Sequence, residues 1–413
     1  MNGLSNTDIP SDGLPEPDDA AKRHSHALAT QIAQLCQSRG GAIAFSEFMQ
    51  QALYAPGLGY YSGGLQKFGA SGDFITAPEV SSLFSQCLAR QIADVLKGVV
   101  GEGLAGEAVS PGILELGAGS GVMAADILLA MEQLETLPER YLILELSAEL
   151  RQRQQNCIRQ KAPHLLDRVS WLDALPEQVF NGVVVANEVL DAMPVECFKI
   201  AGGEVEALMI SYDGESLQPT YIKANAAMCE QVSVIEARLK ETREHPLPDD
   251  YCSEYNPAIK PWLDSLYRVL NRGMVLLIDY GYPVHEYYHD ERFSGTLMCH
   301  YQHRAHTNPL WYPGLQDITA FVDFTDVAYC AVAAGFDISG YTTQAAFLMG
   351  CGLAELHEQQ VTDEVKNQVM LSQQIKTLTL PSEMGERFKA MVLTKNYDEP
   401  LRGFAMQDLR NRL

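Results

Sequence analysis

Ile113-Leu114-Glu115-Leu116-Gly117-Ala118-Gly119-Ser120-Gly121 is a short apolar run closed by three glycines, and a helix-patterned stretch, Val122 to Gln133, follows it. A strand, a glycine turn and a helix in that order open an α/β unit. Glycine lets the backbone turn sharply and approach a ligand that side chains would exclude. The turn also lies near a helix N-terminus, where unpaired N–H groups face the crevice. A dinucleotide site of the Gly-x-Gly-x-x-Gly type would need glycine at position 122. This chain has Val122 there, with the third glycine one position earlier. The spacing favours adenosylmethionine over a pyrophosphate ligand. A turn kept glycine-rich only for packing is the alternative, and the segments around it decide between the two.

Three more continuous apolar runs follow: Tyr141-Leu142-Ile143-Leu144, Val183-Val184-Val185-Ala186 and Val275-Leu276-Leu277-Ile278. Such runs alternating with helices indicate a parallel sheet buried on both faces, hence an α/β, Rossmann-like doubly wound core. A late strand, Phe388 to Leu393, is expected to pair antiparallel with one near Asp337–Tyr341. The core is assigned to residues 111–204 and 270–413. Residues 1–21, rich in Asp, Pro and Ser, read as a disordered tail. Residues 22–110 read as an N-terminal helical and loop region covering the cofactor site. It holds helical spacing from Lys22 to Tyr54, broken at Gly40-Gly41, and a helix from Glu79 to Leu96. Residues 205–269 interrupt the alternation as an inserted α+β segment, with strands around Ala207–Ser211 and a helix near Glu230–Glu244. Binding a client and pairing two subunits as a homodimer are both open roles for it.

The residues at successive strand ends sharpen the ligand. Glu145, followed by Leu146, closes the second run, where a carboxylate accepts both ribose hydroxyls. Asp173, followed by Ala174, closes Val169-Ser170-Trp171-Leu172 and suits an adenine amine. Read singly, each acid is equally a solvated strand end or a helix cap. Beyond the next strand comes Asn187-Glu188-Val189-Leu190-Asp191. Methyl transfer is an in-line displacement, so the protein must chiefly align the acceptor with the methyl carbon. A carboxylate there binds a cationic acceptor and directs its lone pair. For arginine this matters most, because its guanidinium stays protonated and pairs with planar carboxylates. Glu188 is the first choice for that role and Asp191 the second, with simple helix capping as the alternative for both.

His300, His303 and His306 are spaced by three, but Pro309 and Pro313 argue for loop, and no set of metal ligands is completed in the immediate sequence. No metal is expected. His306 and Tyr301 are assigned instead to the acceptor side of the pocket, with His303 as a candidate proton acceptor. Asp279 and Tyr280, at the end of the fifth strand, are assigned to the same wall.

The 413 residues carry 30 basic and 53 acidic side chains, a formal net charge of −23. That balance argues against nucleic acid and anionic lipid as partners and suits a cationic protein segment. Nine scattered cysteines argue against a disulfide framework. No apolar run reaches the roughly 20 residues needed to span a bilayer. With an acidic N-terminus unlike a targeting segment, these features lead to an expectation of a cytoplasmic protein.

Beyond these readings, the chain resembles the MidA-like methyltransferases, a family that includes the mitochondrial complex I assembly arginine methyltransferase. The motifs that carry the resemblance are Gly72-Asp73-Phe74-Ile75-Thr76-Ala77-Pro78-Glu79, Glu115 to Gly121, Ala186 to Pro194, Asp279-Tyr280-Gly281 and Pro313 to Phe324. They fall within residues 25 to 405. Ala118 stands where family members often carry proline. The resemblance implies a class I methyltransferase fold with an N-terminal helical extension and S-adenosylmethionine as cofactor. It also implies methylation of an accessible arginine on a protein such as a respiratory complex I subunit. It further implies that Asp73, Phe74, Thr76 and Pro78 close over the cofactor, alongside Glu115, Gly117, Ala118, Gly119, Gly121, Glu145, Leu146, Asp173, Ala174 and Asn187. A small-molecule methyltransferase of the same fold and a non-catalytic assembly factor that binds S-adenosylmethionine are the alternatives.

Overall fold

The structure is a computed structural model, and it describes residues 13–63, 76–99, 111–240, 243 and 245–413. The chain divides into two compact units. One comprises residues 75–190, 259–281 and 326–413; the other comprises residues up to 74, 191–258 and 282–325.

The first unit is built on strands β1 (Gly112–Leu116), β2 (Arg140–Leu144), β3 (Val169–Leu172), β4 (Phe180–Asn187), β5 (Leu270–Tyr282), β6 (Asp337–Thr343) and β7 (Phe388–Lys395). They lie side by side in the order β6-β7-β5-β4-β1-β2-β3. β1 pairs in parallel with β2 and β4, β2 with β3, and β4 with β5. β7 alone runs antiparallel, between β5 and β6. Every residue of β1 and β4 is buried, as expected for strands covered on both faces. The helices α1 (Ser82–Gly98), α2 (Val122–Gln133) and α3 (Ala148–Lys161) belong to this unit. Leu88, Ile92 and Leu96 of α1 and Ala124, Ile127 and Leu128 of α2 join Ile113, Val183, Val185 and Leu276 of the sheet in one apolar core. The α/β, doubly wound reading is borne out. The chain leaves β1 toward β2 on one side and β4 toward β5 on the other. Ligand crevices of open α/β sheets form at that reversal, outside the C-terminal ends of the strands.

The second unit is antiparallel. Ala42–Ala44, Glu204–Tyr212, Glu196–Ala201 and Cys252–Tyr255 lie in that order, and Leu217–Lys223 pairs on Glu204–Tyr212. Helices Asp19–Ser38 and Phe45–Tyr54 contribute Leu28, Ile32, Phe45 and Phe48 to a core with Leu208 and Ile210. A smaller sheet joins Arg304–His306, Met298–Tyr301 and Asp317–Thr319.

Several expected boundaries move. The insertion begins at Asp191 rather than 205, because Glu196–Ala201 forms a hairpin with Glu204–Tyr212 instead of joining the parallel sheet. Helix Ile259–Val269 belongs to the parallel-sheet unit, whereas residues 282–325, expected in the core, do not. The helix expected near Glu230–Glu244 runs Ala226–Leu239, started by the Asn225 side chain, which accepts from the Met228 N–H. The expected disordered tail ends earlier than residue 21: Asp18 caps the helix beginning at Asp19 by accepting from the Ala21 N–H. Residues 1–12 of that tail lie outside the described residues. The helix expected from Glu79 is broken at Ser81, whose φ of −159° is extended, into Ala77–Val80 and α1. The three histidines expected in a loop lie on a β-hairpin whose turn, Gln302-His303, has φ of 46° and 62°. No helix among the described residues is long and apolar enough to cross a membrane.

Candidate active site

β1 delivers the glycine turn to the reversal point, and Leu116 lies in register with Ala186 of β4. Gly117, Gly119 and Gly121 all have positive φ, 65°, 52° and 84°. At Gly121 the demand is also spatial, since a Cβ there would lie 2.8 Å from Cα of Gln154. Ala118, at the position where proline is frequent, is buried, and its carbonyl accepts from the Gly121 N–H at 2.8 Å.

Gln154, on α3, is fully buried and ties the turn to the next two strands. Its Nε2 donates to the Gly119 carbonyl at 3.1 Å and to Glu145 Oε2 at 3.0 Å, and its Oε1 accepts from Trp171 Nε1 at 2.8 Å. Reading the sequence did not find it: one glutamine in a polar helix carries no local signal, and its burial emerges only once α3 packs. Glu145 is further held by the Ser147 N–H on Oε1 at 2.9 Å. Burial pushes its pKa up, while the Ser147 and Gln154 hydrogen bonds and the Arg151 charge pull it down. Arg151 braces this corner, donating to the carbonyls of Glu145 and Leu172 and to Asp173 Oδ1. Leu146 is 77% exposed, and Asp173 and Ala174 are also exposed. An apolar side chain in solvent beside a ribose-type acid suits the face of an adenine ring.

Two buried oxygens, Glu115 Oε1 and Asn187 Oδ1, meet no hydrogen-bond donor among the described residues. Buried polar atoms are rarely left so, and a ligand bearing an ammonium group would satisfy them. The glycine cradle, the braced Glu145 and these acceptors fit adenosylmethionine. Thr76 precedes helix Ala77–Val80, its carbonyl accepting from the Glu79 and Val80 N–H groups, and Pro78 is buried in that helix. Asp73 and Phe74 lie outside the described residues.

Glu115 is fully buried and accepts from the Tyr141 hydroxyl at 2.7 Å. Burial pushes its pKa up to about 7, with the Tyr141 hydrogen bond pulling it down and Glu145 adding a further rise. The folded chain therefore keeps a proton that the unfolded chain releases above its ordinary value of 4.5. The unfolded state then binds fewer protons, so stability falls as pH rises from that value toward the folded one. Glu115→Gln removes this loss, which amounts to about 3 kcal/mol, because each tenfold difference in proton affinity between the two states is worth about 1.4 kcal/mol. Urea unfolding of the ligand-free proteins at about pH 4 and about pH 8 checks it. A stability difference between wild type and variant that is equal at the two pH values contradicts the buried acid.

On the acceptor side, the Glu188 N–H donates to the Ile278 carbonyl at 2.9 Å, and the Asn187 amide donates to Glu188 Oε1 at 3.2 Å. Glu188 is half-buried and has φ of 53°, a left-handed conformation that side-chain-bearing residues seldom adopt. Asp279 is fully buried on β5, and the Tyr280 ring packs edge-on against Phe388 at 5.3 Å. The remaining expected residues belong to the other unit. There Asp191 is buried and its carbonyl accepts from the Ala320 N–H. Tyr301 is buried beside Tyr312, with ring centroids 5.4 Å apart. His306 lies 5.3 Å from Trp311, and burial pushes its pKa down. His303 is exposed at the hairpin turn.

This sheet order, the glycine turn and the acids at successive strand ends define a class I S-adenosylmethionine-dependent methyltransferase. The profile of the S-adenosyl-L-methionine-dependent methyltransferase family matches residues 87–342, and the chain belongs to that family. A protein from Burkholderia thailandensis whose crystal structure holds S-adenosyl-homocysteine superposes with a TM-score of 0.89. It is 39% identical, over 97% of this chain and 100% of its own. The protein arginine methyltransferase NDUFAF7 homolog of Drosophila melanogaster is 28% identical over 95% of this chain and 91% of its own. The human protein arginine methyltransferase NDUFAF7 is 27% identical over 86% and 80%. The resemblance and the cofactor are borne out. The cytoplasmic expectation is corrected: both NDUFAF7 relatives are mitochondrial proteins. Scattered cysteines and an acidic N-terminus are features of composition, and neither distinguishes one compartment from another.

Proposed function

We propose that this methyltransferase modifies arginine side chains of a protein partner. The observation that carries the reading is Glu188, a half-buried carboxylate held in a left-handed backbone at the end of β4 and contacted by the Asn187 amide. Strain of that kind persists where the surrounding structure imposes it, and it concentrates at functional sites. The relatives named as protein arginine methyltransferases support the same acceptor.

S-adenosylmethionine held at the glycine turn would supply an electrophilic methyl group, the S–C electron pair returning to sulfur as a guanidinium nitrogen forms the new N–C bond and gives up one N–H proton to water. The residues of the chain do the rest. Gly117 to Gly121 and Glu145 hold the donor. The Glu188 carboxylate pairs with two guanidinium N–H groups and so turns the third nitrogen toward the methyl carbon. It also concentrates the delocalised positive charge away from that nitrogen, raising its nucleophilicity. His303, exposed at its hairpin turn, is not needed for this step.

The test is to incubate the protein with methyl-tritiated S-adenosylmethionine and lysate protein, then to acid-hydrolyse the labelled product. Tritium in methylarginines is the expected result. Tritium confined to small molecules, or in no product, overturns the arginine reading.

A further inference from the structure

Asp279 was expected on the wall that meets the acceptor, but its side chain is fully buried and engaged with backbone. Its Oδ2 accepts from the N–H groups of Val189 at 3.2 Å and Leu190 at 3.0 Å, and its Oδ1 accepts from the Tyr280 N–H at 3.0 Å. These two loop donors directly follow Glu188, whose own N–H is held by the Ile278 carbonyl, the residue before Asp279. The end of β5 thus grips three consecutive N–H groups, from Glu188 to Leu190. A carboxylate accepting several backbone N–H bonds in a dry interior is a strong, directional anchor. The left-handed turn at Glu188 needs such an anchor, because an unrestrained side-chain-bearing residue would relax out of it.

We propose that Asp279 is a positioning residue for methyl transfer: it clamps the loop after β4 and so holds Glu188 in the geometry that aligns the acceptor. The proposal rests on the reading of Glu188 as the carboxylate that meets the acceptor.

Asp279→Asn keeps the shape but turns an N–H₂ toward one set of donors, breaking that part of the clamp. Transfer of tritiated methyl into lysate protein is expected to fall at least ~50-fold, while S-adenosylhomocysteine affinity by calorimetry stays within ~3-fold of wild type. Amide exchange at Val189 and Leu190 is expected to quicken. A residue acting through Glu188 adds nothing once that carboxylate is gone, so Asp279→Asn with Glu188→Gln is expected to be no slower than Glu188→Gln alone. Transfer within ~3-fold of wild type, a loss matched by the loss of cofactor affinity, or two losses that multiply in the double variant would each overturn the clamp. Should Asp279→Asn melt far below wild type, the same comparison is made at a temperature at which the melts show both proteins folded, with the same criteria. Full activity in Glu188→Gln removes the arginine reading and the clamp's purpose together. An inactive Glu188→Gln beside an active Asp279→Asn removes the clamp alone.

Discussion

Gly121→Ala is expected to weaken S-adenosylhomocysteine binding by at least about 100-fold, roughly 2.7 kcal/mol, in a protein that still folds. Two costs combine at this position. An L-residue in the left-handed region, here at φ of 84°, costs roughly 1–2 kcal/mol. The added methyl would also sit 2.8 Å from Gln154 Cα, and backbone inside a helix cannot swing aside. To make room, α3 must move away from the turn, which pulls the Gln154 amide off the Gly119 carbonyl and Glu145 and loosens the acid assigned to the ribose. Gly117→Ala provides the contrast. Its φ of 65° carries a similar strain, but the nearest atom is Val189 Cγ2 at 3.1 Å, the far end of a side chain. About a 10-fold loss is expected there. Calorimetric titration of both variants with S-adenosylhomocysteine, beside thermal melts, checks the pair. Equal affinities for the two variants, or a Gly121→Ala within ~3-fold of wild type, would show that the close approach of α3 does not shape the site.

The parallel sheet was legible because its strands are covered on both faces and therefore read as unbroken apolar runs. Val183 to Ala186 and Val275 to Ile278 have no polar face to confuse them with a surface strand. The antiparallel unit was read poorly for the opposite reason. Glu204–Tyr212 is only partly buried, with a pattern that mixes exposed, intermediate and buried positions, so its period is blurred. The transfer of residues 191–204 and 282–325 to that unit follows from hairpin pairing, which leaves no mark in composition. In the crevice, the backbone-shaping residues were visible because their chemistry is local: three glycines announce a turn without reference to anything distant. The hydrogen bonds of Gln154 and Asp279 could not be read there because their partners lie 35 and 90 positions away. An aspartate at a strand end looks the same whether it faces a substrate or three backbone N–H groups, and only packing separates the two.

That distinction gives the second large effect its meaning. Glu188→Gln is expected to reduce methyl transfer into protein by roughly 100- to 1,000-fold, the loss found when one preorganised electrostatic group is removed from an active site. The substitution keeps the size, the rotamer choices and one carbonyl acceptor, so the backbone held by Ile278 and Asp279 is expected to stay in place. What disappears is the negative charge that binds a guanidinium through two parallel N–H···O bonds, since glutamine offers one oxygen and a repelling N–H₂. The residues assigned to the cofactor, Gly117 to Gly121, Gln154 and Glu145, are not among those Glu188 contacts in the hydrogen bonds described above, so S-adenosylhomocysteine is expected to bind within ~3-fold of wild type. Initial rates of tritium transfer, read beside calorimetry, separate the two quantities. A helix-capping role for Glu188 makes the opposite forecast. Glutamine would then cost a few tenths to about 2 kcal/mol in the melt, and the rate at saturating substrate would survive. A Glu188→Gln protein that melts lower yet transfers methyl groups at the wild-type rate would return Glu188 to capping and leave the acceptor to be sought elsewhere.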